Sequence, residues 1–310
     1  MLVKINSLVK RYKDVLAVDH FNMEVKEGEI LGLLGPNGSG KTTTINCLLA
    51  LLKYDKGTIE VFGSPMAAER YDLKRNIGVV MQNVAVFDEL TVYENIDYFC
   101  SLYVKDNATR KKYVDDAIKF VALEEHTKKL PPKLSGGLLR RLNIACGIAH
   151  KPKLIILDEP TVAIDPQSRD FILEGIAQLN REGATIIYTS HYMEEVEQLC
   201  SRIIIMDNGK NLAEGTKDEL KRMIKTGETI RMQVLDMSEA QLDGIKGLKH
   251  VFAVEHSDNQ LVIRLTQGKH NLARVLEYLN GENIAYGRVA SELPTLNDVF
   301  LEITGKGLRD

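Results

Sequence analysis

The sequence predicts an α/β fold in which a mainly parallel β-sheet is covered by helices on both faces. Short β-type runs, most of them with an apolar centre, lie at residues 30–34, 58–62, 77–81, 153–158, 185–190 and 202–207. Amphipathic helical patterns lie between several of these runs, at residues 92–104, 110–122, 136–150 and 167–181. Strands that alternate with helices are typical of parallel sheets, because each helix returns the chain to the same end of the sheet.

The two ends of the chain have different patterns. Residues 2–25 contain alternating or short apolar runs, which predict an N-terminal antiparallel β subdomain. Beyond about residue 220 the predicted order is β-α-β-β-α-β, with the last strand at 282–290 and a short helix after Pro294. This is the ferredoxin-like order. We therefore expect a main domain at 1–225 and a small C-terminal α+β accessory domain at 226–310.

Composition restricts the class of protein. With 310 residues, 44% hydrophobic and 27% charged, the chain is long enough and apolar enough to fold around a large core. A net charge of −3 without a long basic run disfavours nucleic acid as a partner. The four cysteines are far apart, which argues against a zinc site or disulfide framework. No apolar run approaches the ~18 residues that span a bilayer, so work at a membrane would need a partner.

A glycine-rich loop follows the first apolar strand. Its sequence, GPNGSGKT at residues 35–42, matches the pattern G-x-x-x-x-G-K-[ST] between a predicted strand and a predicted helix. Glycines allow the backbone N–H groups to turn inward around a phosphate. Lys41 would place a positive charge on the β- and γ-phosphates, and the Thr42 hydroxyl could bind Mg²⁺. The motif predicts a P-loop NTPase core, and by itself leaves kinase, GTPase and ATPase open.

An acidic pair ends a later strand. In LIILDEPT the apolar run delivers Asp158 and Glu159 to the edge of the sheet where ligands bind. Asp158 could hold Mg²⁺ through water. Glu159 would stand beside the γ-phosphate, where a carboxylate can activate the attacking water. A kinase needs no such water, so this pair favours hydrolysis.

A second anion-binding feature lies in KLSGGLLRRLNIA at residues 133–145. Ser135 is predicted to cap a helix that begins with Gly136 and Gly137, and whose leucines recur at helical spacing. Two glycines lower the stability of the start of a helix. Their presence here therefore favours a need for access to the backbone. Free N–H groups at a helix N-terminus attract anions. The chain therefore carries two phosphate cradles.

Over about residues 1–220 these motifs resemble the ATPase subunits of ATP-binding cassette (ABC) transporters. LSGGLLRR resembles the signature motif of a helical subdomain, GPNGSGKT resembles Walker A, and LIILDE resembles Walker B. The resemblance extends to the Q-loop glutamine, the D-loop aspartate, the switch histidine and the aromatic residue that stacks on adenine. These positions are Gln82, Asp165, His191 and Tyr12.

The resemblance implies an arrangement in which two identical cassettes pair head to tail around ATP and Mg²⁺. The signature of one subunit would then cover the nucleotide held by Walker A of the other. The implied catalytic residues are Lys41, Glu159 and His191, and the implied metal site comprises Thr42, Gln82 and Asp158. The implied nucleotide contacts are Tyr12, Gly35, Pro36, Asn37, Gly38, Ser39, Gly40, Lys41, Thr42, Thr43, Gln82, Ser135, Gly136, Gly137 and Asp165.

Some of these positions have other interpretations, and the sequence departs from the family at two motifs. Tyr12 could pack in a sheet, Gln82 could be a polar loop residue, and His191 could cap the helix that follows it. Leu138 replaces the usual glutamine of the signature, and the D-loop has Ala163 and Ile164 where glycine and leucine are common. We expect ATP binding to survive these changes.

The single cassette and the ending TLNDVFLEITG resemble stand-alone subunits of multidrug, antibiotic or sodium exporters. This implies a cytoplasmic protein, peripheral on the inner face of the membrane, that binds and hydrolyses ATP and energises a separate polytopic permease through ATP-driven dimerisation. The alternative is a soluble cassette ATPase that remodels a ribosome or nucleic acid. That alternative predicts a basic face, a coiled-coil insertion or a second cassette. For the C-terminal domain, a dimerising or regulatory role and a simple packing extension both remain open.

Overall fold

The computed structural model describes residues 1–305, which form two compact units. The first is Met1–Thr216, and the second begins at Lys217. The sequence predicts this boundary after residue 225. The helix at Lys217–Arg222 packs against the helix at Leu296–Thr304, so this short stretch belongs with the second unit. Residues 306–310 of the expected accessory domain lie outside the described residues.

The first unit alternates strands and helices. Its strands are β1 (Val3–Tyr12), β2 (Val15–Val25), β3 (Ile30–Leu34), β4 (Lys56–Val61), β5 (Ser64–Pro65), β6 (Ile77–Val80), β7 (Leu154–Asp158), β8 (Thr185–Ser190), β9 (Arg202–Asp207) and β10 (Lys210–Gly215). Its helices are α1 (Lys41–Leu48), α2 (Tyr71–Lys74), α3 (Val92–Ser101), α4 (Asn107–Phe120), α5 (Gly136–Ile148), α6 (Pro166–Arg181) and α7 (Met193–Leu199). Short 3₁₀ turns occupy Glu124–His126 and Pro131–Lys133.

The central sheet confirms the predicted parallel architecture. Its strand order is β10-β9-β3-β8-β7-β6, and every neighbouring pair is parallel except β10 with β9 at one edge. All residues of β3, β7 and β8 are buried, as their apolar sequences predict. Since these three strands are adjacent and parallel, the loops that follow them meet at one edge of the sheet.

The N-terminal strands form the predicted antiparallel sheet, in the order β2-β1-β4-β5. Their inward side chains, including Ile5, Leu8 and Phe21, are fully buried and belong to the same hydrophobic core as β3 and α1. The helices α3, α4 and α5 pack against one another as the expected helical subdomain. Within residues 1–305 no helix combines the length and apolar character needed to cross a bilayer.

The second unit has its own sheet and core. It contains α8 (Lys217–Arg222), β11 (Glu228–Gln233), α9 (Glu239–Lys246), β12 (Val251–Ser257), β13 (Gln260–Leu265), α10 (Asn271–Gly281), β14 (Val289–Glu292) and α11 (Leu296–Thr304). The strand order β12-β13-β11-β14, antiparallel throughout, is that of a ferredoxin-like domain. The last strand is shorter than predicted, because Ile284 follows a left-handed Asn283 and is buried before β14 begins.

Candidate nucleotide-binding site

The glycine-rich loop lies between β3 and α1, where its glycines are required by geometry. Gly38 and Gly40 have φ angles of 81° and 107°, which side-chain-bearing residues rarely adopt. A Cβ atom on Gly40 would lie 2.5 Å from the carbonyl oxygen of Ala17 in β2, and one on Gly35 would lie 2.2 Å from that of Met206. The loop is therefore pressed against both neighbouring strands, and its backbone remains available to a ligand.

Lys41 is held inside this loop. Its Nζ donates hydrogen bonds to the carbonyl oxygens of Gly35 (2.8 Å) and Pro36 (3.1 Å), and it lies 3.3 Å from Oε1 of Glu159. The side chain is only 4% exposed. Burial lowers the pKa of Lys41, while the charges of Glu159 and Asp158 act in the opposite direction. A buried ammonium group at the start of a helix can bind phosphate as a point charge.

The end of β7 offers a set of oxygen atoms beside Lys41. Thr42 Oγ1 donates to Asp158 Oδ2 (2.9 Å), and Thr189 Oγ1 donates to Asp158 Oδ1 (2.5 Å). Asp158 is fully buried, while Thr42 is exposed. A carboxylate and a hydroxyl are hard oxygen donors of the kind that Mg²⁺ prefers. These residues fit the expected metal site, and the hydrogen bond from Thr189 to Asp158 is a contact that sequence reasoning missed.

Glu159 lies where three other elements converge. Its Oε2 is 3.3 Å from Gln82 Nε2 and 3.3 Å from His191 Nδ1, in addition to the contact of Oε1 with Lys41. Its backbone is left-handed (φ 49°), and its N–H donates to the carbonyl oxygen of Thr189 (3.2 Å). Such a conformation is costly for a residue other than glycine and is typical of functional sites. The structure thus brings Lys41, Gln82, Glu159 and His191 together.

The loop that carries Gln82 is held by the signature helix. From α5, Arg140 donates to the carbonyl oxygens of Met81 (3.1 Å) and Gln82 (2.7 Å), and Asn143 accepts from the N–H of Ala85 (3.1 Å). Sequence reasoning missed both anchors. Arg140 and Asn143 could have been recognised as polar residues at helical spacing among the apolar residues of α5, where the structure buries both.

The positions of His191 and Tyr12 bear on their alternative interpretations. His191 follows β8 but does not cap the next helix, because the N-cap of α7 is Tyr192 and makes no side-chain capping bond. Tyr12, at the end of β1, is 46% exposed rather than packed within a sheet, and Lys10 Nζ lies 5.1 Å from its ring centroid. An open aromatic face of this kind can stack on a nucleobase.

Ser135 and Asp165 form a second cluster. Ser135 caps α5 as predicted, accepting the N–H of Leu138 (3.4 Å), and Asp165 caps α6, accepting that of Ser168 (2.9 Å). A Cβ on Gly137 would lie 2.1 Å from Ser168 Oγ, whereas one on Gly136 would meet no atom within 4 Å. Gly137 therefore allows two helices to pack closely, whereas Gly136 has open space around it. Phosphate binding by the backbone of both glycines stays a prediction.

The two clusters are separate within the described residues. Among residues 1–305, no hydrogen bond or ion pair joins Ser135 or Gly136 to the group around Lys41 and Glu159. The site combines β3, the phosphate loop, α1 and the acidic end of β7. Gln82 and His191 lie beside Glu159. This combination defines a P-loop nucleoside triphosphatase of the cassette type.

The chain belongs to the family of ABC transporter ATP-binding proteins, whose members bind and hydrolyse ATP. The sequence profile described as "ABC transporter" matches residues 18–162, and that of the "ATP-binding protein DrrA1-3-like, C-terminal domain" matches residues 215–304. The linearmycin resistance ATP-binding protein LnrL of Bacillus subtilis is 39% identical, over 100% of both chains. The Nod factor export ATP-binding protein I of Ralstonia nicotianae is 32% identical, over 100% of this chain and 95% of that protein.

Solved structures agree with this assignment. A dimeric ATP-binding cassette in a post-hydrolysis state, bound to ADP and Pi, superposes with a TM-score of 0.64 at 28% identity. It covers 69% of this chain, and this chain covers 98% of it. The protein cbiO1 from Clostridium perfringens, part of the cbiONQ transporter complex, gives a TM-score of 0.64 at 29% identity, covering 72% of this chain and 94% of that one.

Proposed function

We propose that this chain is the ATP-hydrolysing subunit of an exporter, and that two copies bind two ATP molecules between them to energise a separate membrane permease. Curated relatives over the full chain are named for linearmycin resistance, daunorubicin resistance and Nod factor export. One structural relative was solved as a dimer with ADP and Pi. Through such a permease the subunit would be peripheral on the inner face of the membrane.

The observation that carries the proposal is the open N-terminus of α5. Ser135 and Gly136 are exposed, no atom would contact a Cβ at Gly136, and the helix dipole places partial positive charge there. Such a terminus binds anions. Since these residues have no contact with the Lys41 cluster of their own chain, a second copy related by a two-fold axis would complete each site.

The proposed chemistry follows from the Glu159 contacts. Lys41 and the loop N–H groups would bind the phosphates, and Thr42 with Asp158 would hold Mg²⁺, which neutralises phosphate charge when bound. Phosphates would compete with Glu159 for Lys41, because both are anions within reach of one ammonium group. The freed Glu159 carboxylate would then accept a proton from the attacking water. His191, 3.3 Å from Glu159, would contact the γ-phosphate, and Gln82, also 3.3 Å from Glu159, would join Thr42 and Asp158 as a ligand of Mg²⁺.

An exposed aromatic patch near the Gln82 loop supports the proposal of a membrane partner. Phe87 and Tyr98 are 42% and 43% exposed, and their ring centroids are 5.0 Å apart. The buried Asn95 fixes Phe87 through its backbone N–H (2.8 Å) and carbonyl oxygen (3.0 Å). An apolar surface of this kind suits the short cytoplasmic segment of a permease. Phe87 is five residues after Gln82 in the chain, so a displacement of Phe87 by the permease would also displace Gln82.

The Glu159→Gln variant tests the hydrolytic and dimeric parts of the proposal. It should bind ATP at least as tightly as wild type, because the phosphate contacts remain and the competing charge is removed, but lose at least about 100-fold in turnover. It should also elute as a dimer in ATP during size-exclusion chromatography. Adding Gly136→Val to this variant should retain ATP binding and abolish the dimer. Wild-type turnover in Glu159→Gln, or a dimer that tolerates Gly136→Val, would contradict the proposal.

Capture from detergent-solubilised membranes tests the partner. Tagged wild-type protein should recover a polytopic membrane protein, and Tyr98→Asp should lose it while retaining ATPase activity in solution. Tyr71→Asp is the matched control, because Tyr71 is also an exposed tyrosine (73%) but belongs to α2 and makes no ring contact with Phe87 or Tyr98 among the described residues. Recovery of ribosomes or nucleic acid instead would support the alternative of a soluble remodelling ATPase and overturn the exporter.

A further inference from the structure

A buried carboxylate outside the proposed catalytic group connects several parts of the site. Glu195, on α7, is only 3% exposed. Its Oε2 accepts hydrogen bonds from the hydroxyl groups of Thr161 (2.7 Å), Tyr188 (2.7 Å) and Ser190 (3.2 Å). Hydrogen bonds to an ionised acceptor are stronger than those between neutral groups, and strength increases in a low-dielectric interior. This oxygen therefore ties α7 to two other chain segments, β8 and the turn that contains Thr161.

The second oxygen of Glu195 has a cation beside it. Arg169 Nε of α6 lies 3.4 Å from Oε1, and among residues 1–305 no group makes a hydrogen bond of good geometry to that atom. The Arg169 guanidinium also lies 5.1 Å from the ring centroid of Tyr192. Burial and the neighbouring Glu195 charge raise the pKa of Tyr188 well above its usual value, so its hydroxyl remains a donor.

Thr161 anchors a strained turn. It lies between Glu159 (φ 49°) and Ala163 (φ 60°), which are both left-handed without being glycine, and it is 1% exposed. Left-handed residues of this kind persist only where surrounding contacts hold them. The segment is not part of the sheet ladder, so the hydrogen bond from Thr161 to Glu195 is one of the contacts that fix the direction of Glu159.

Ser190 provides the corresponding anchor for His191. Its Oγ donates to Glu195 Oε2 (3.2 Å) and accepts the N–H of Tyr192 (2.9 Å), so it fixes the backbone on both sides of His191. One oxygen atom of Glu195 thus contacts the segment that follows Glu159 and the residue that precedes His191. The side chains of Glu159 and His191 meet at 3.3 Å.

We propose that Glu195 is a positioning residue that sets Glu159 and His191 at their working separation through Thr161 and Ser190. This inference rests on the proposed roles of Glu159 and His191. Glu195 touches neither nucleotide nor water in this role. Loss of its contacts therefore lowers kcat and leaves ATP affinity unchanged, because the phosphate loop is not involved. A misplacement of about 1 Å in a catalytic group can lower the rate roughly 100-fold.

Thr161→Val and Tyr188→Phe form the deciding comparison. Each removes one hydroxyl from the same carboxylate oxygen with almost no change in shape. Tyr188 is held by β8, which pairs with β3 and β7 on its two sides, whereas Thr161 lies in the strained turn. We expect Thr161→Val to lower kcat at least about tenfold and Tyr188→Phe less than about threefold, with similar changes in melting temperature. ATP affinity should equal that of wild type in both.

Variants at position 195 complete the test. Glu195→Gln keeps an acceptor for the hydroxyl groups and should retain most of kcat, whereas Glu195→Leu removes it and should match or exceed the loss in Thr161→Val. The exposed neighbour Glu194→Gln is the control and should be unaffected. Rates are expressed per bound nucleotide, measured by equilibrium dialysis, so that unfolded protein does not count.

The outcomes separate this inference from the proposed function. Equal losses of kcat in Thr161→Val and Tyr188→Phe would make Glu195 merely structural and overturn the inference. The same conclusion would follow if the losses disappear when the rates are divided by the amount of bound nucleotide. If Glu159→Gln abolishes turnover in the same preparation, the catalytic assignment stands even so. If Glu159→Gln is fully active, the proposed function fails first, and any effect of Thr161→Val must then have another cause.

Discussion

Replacing Gly137 by alanine is the sharpest test of the contact between α5 and α6. The new Cβ would lie 2.1 Å from Ser168 Oγ, 2.7 Å from Ser168 Cβ and 3.1 Å from Asp165 Oδ2. Rotating the Ser168 side chain moves its hydroxyl but leaves its Cβ in place, so the overlap requires the two helices to separate. Since both helix N-caps lie here, the displacement would also reach Ser135 and Asp165.

The expected cost is the net of two effects. Overpacking of a close contact destabilises by about 1–3 kcal/mol. The gain in helix propensity from glycine to alanine is at most about 1 kcal/mol and is smaller in the first turn. We therefore expect Gly137→Ala to lose about 1–2 kcal/mol, or about 2–8 °C in melting temperature for a unit of this size. Gly136→Ala should be neutral or slightly stabilising.

Urea unfolding followed by circular dichroism measures the difference, and ATPase assays measure its functional side. Ser168→Gly in the Gly137→Ala background removes the overlapping Cβ, so the double variant should be more stable than the sum of the two single effects. Gly136→Ala should keep stability but weaken ATP-driven dimerisation. Equal stability of Gly137→Ala and wild type, or a larger loss in Gly136→Ala, would refute this account of the packing.

Three further predictions concern single residues. Lys41→Ala should weaken ATP binding by at least about tenfold, because it removes a charge-assisted contact, and normal affinity in a fluorescent-analogue titration would contradict the phosphate-loop assignment. Leu138→Gln should leave ATPase activity similar or higher, since Leu138 contributes only its backbone N–H to the Ser135 cap. Complete loss of activity would mean that leucine is required at this position, where the family usually has glutamine. Burial lowers the pKa of His150 from 6.5 to about 4, so the unfolded state binds the proton first, and stability present above pH 6.5 should fall as the pH is lowered toward 4. His150→Phe, which can keep the stacking on Tyr103, should flatten this fall in urea titrations, whereas the exposed His20→Gln should not.

Elements whose signal is local were predicted from the sequence. The glycine loop, the Ser135 cap and the buried strands follow from residues that are neighbours along the chain, and the structure contains each of them. Errors occurred where a distant contact decides the outcome. The last strand is shorter because Ile284 is buried in the core of the second unit, and the helix at Lys217–Arg222 belongs with α11.

The same division applies to the candidate site. Gln82, Asp158, Glu159 and His191 could be selected as candidates by residue type, since each ends or follows a predicted strand and the carboxyl ends of parallel strands share one edge. Their separations of 3.3 Å around Glu159 could not be predicted, because they depend on loop conformations. The contacts of Arg140 and Glu195 were missed for the same reason. Each joins residues far apart in the chain.

The sequence by itself therefore determined which chemical groups this protein offers. They are a phosphate loop, an acidic strand end and a capped helix that begins with glycines. The conformation of each depends on a stretch of only about ten residues. Only the tertiary structure decided which of these groups meet. It places Glu159 against Lys41, Gln82 and His191, and it leaves the N-terminus of α5 open. The physical reason is that backbone conformation depends on neighbouring residues, whereas side-chain contact across a sheet depends on strand order and on how closely helices pack.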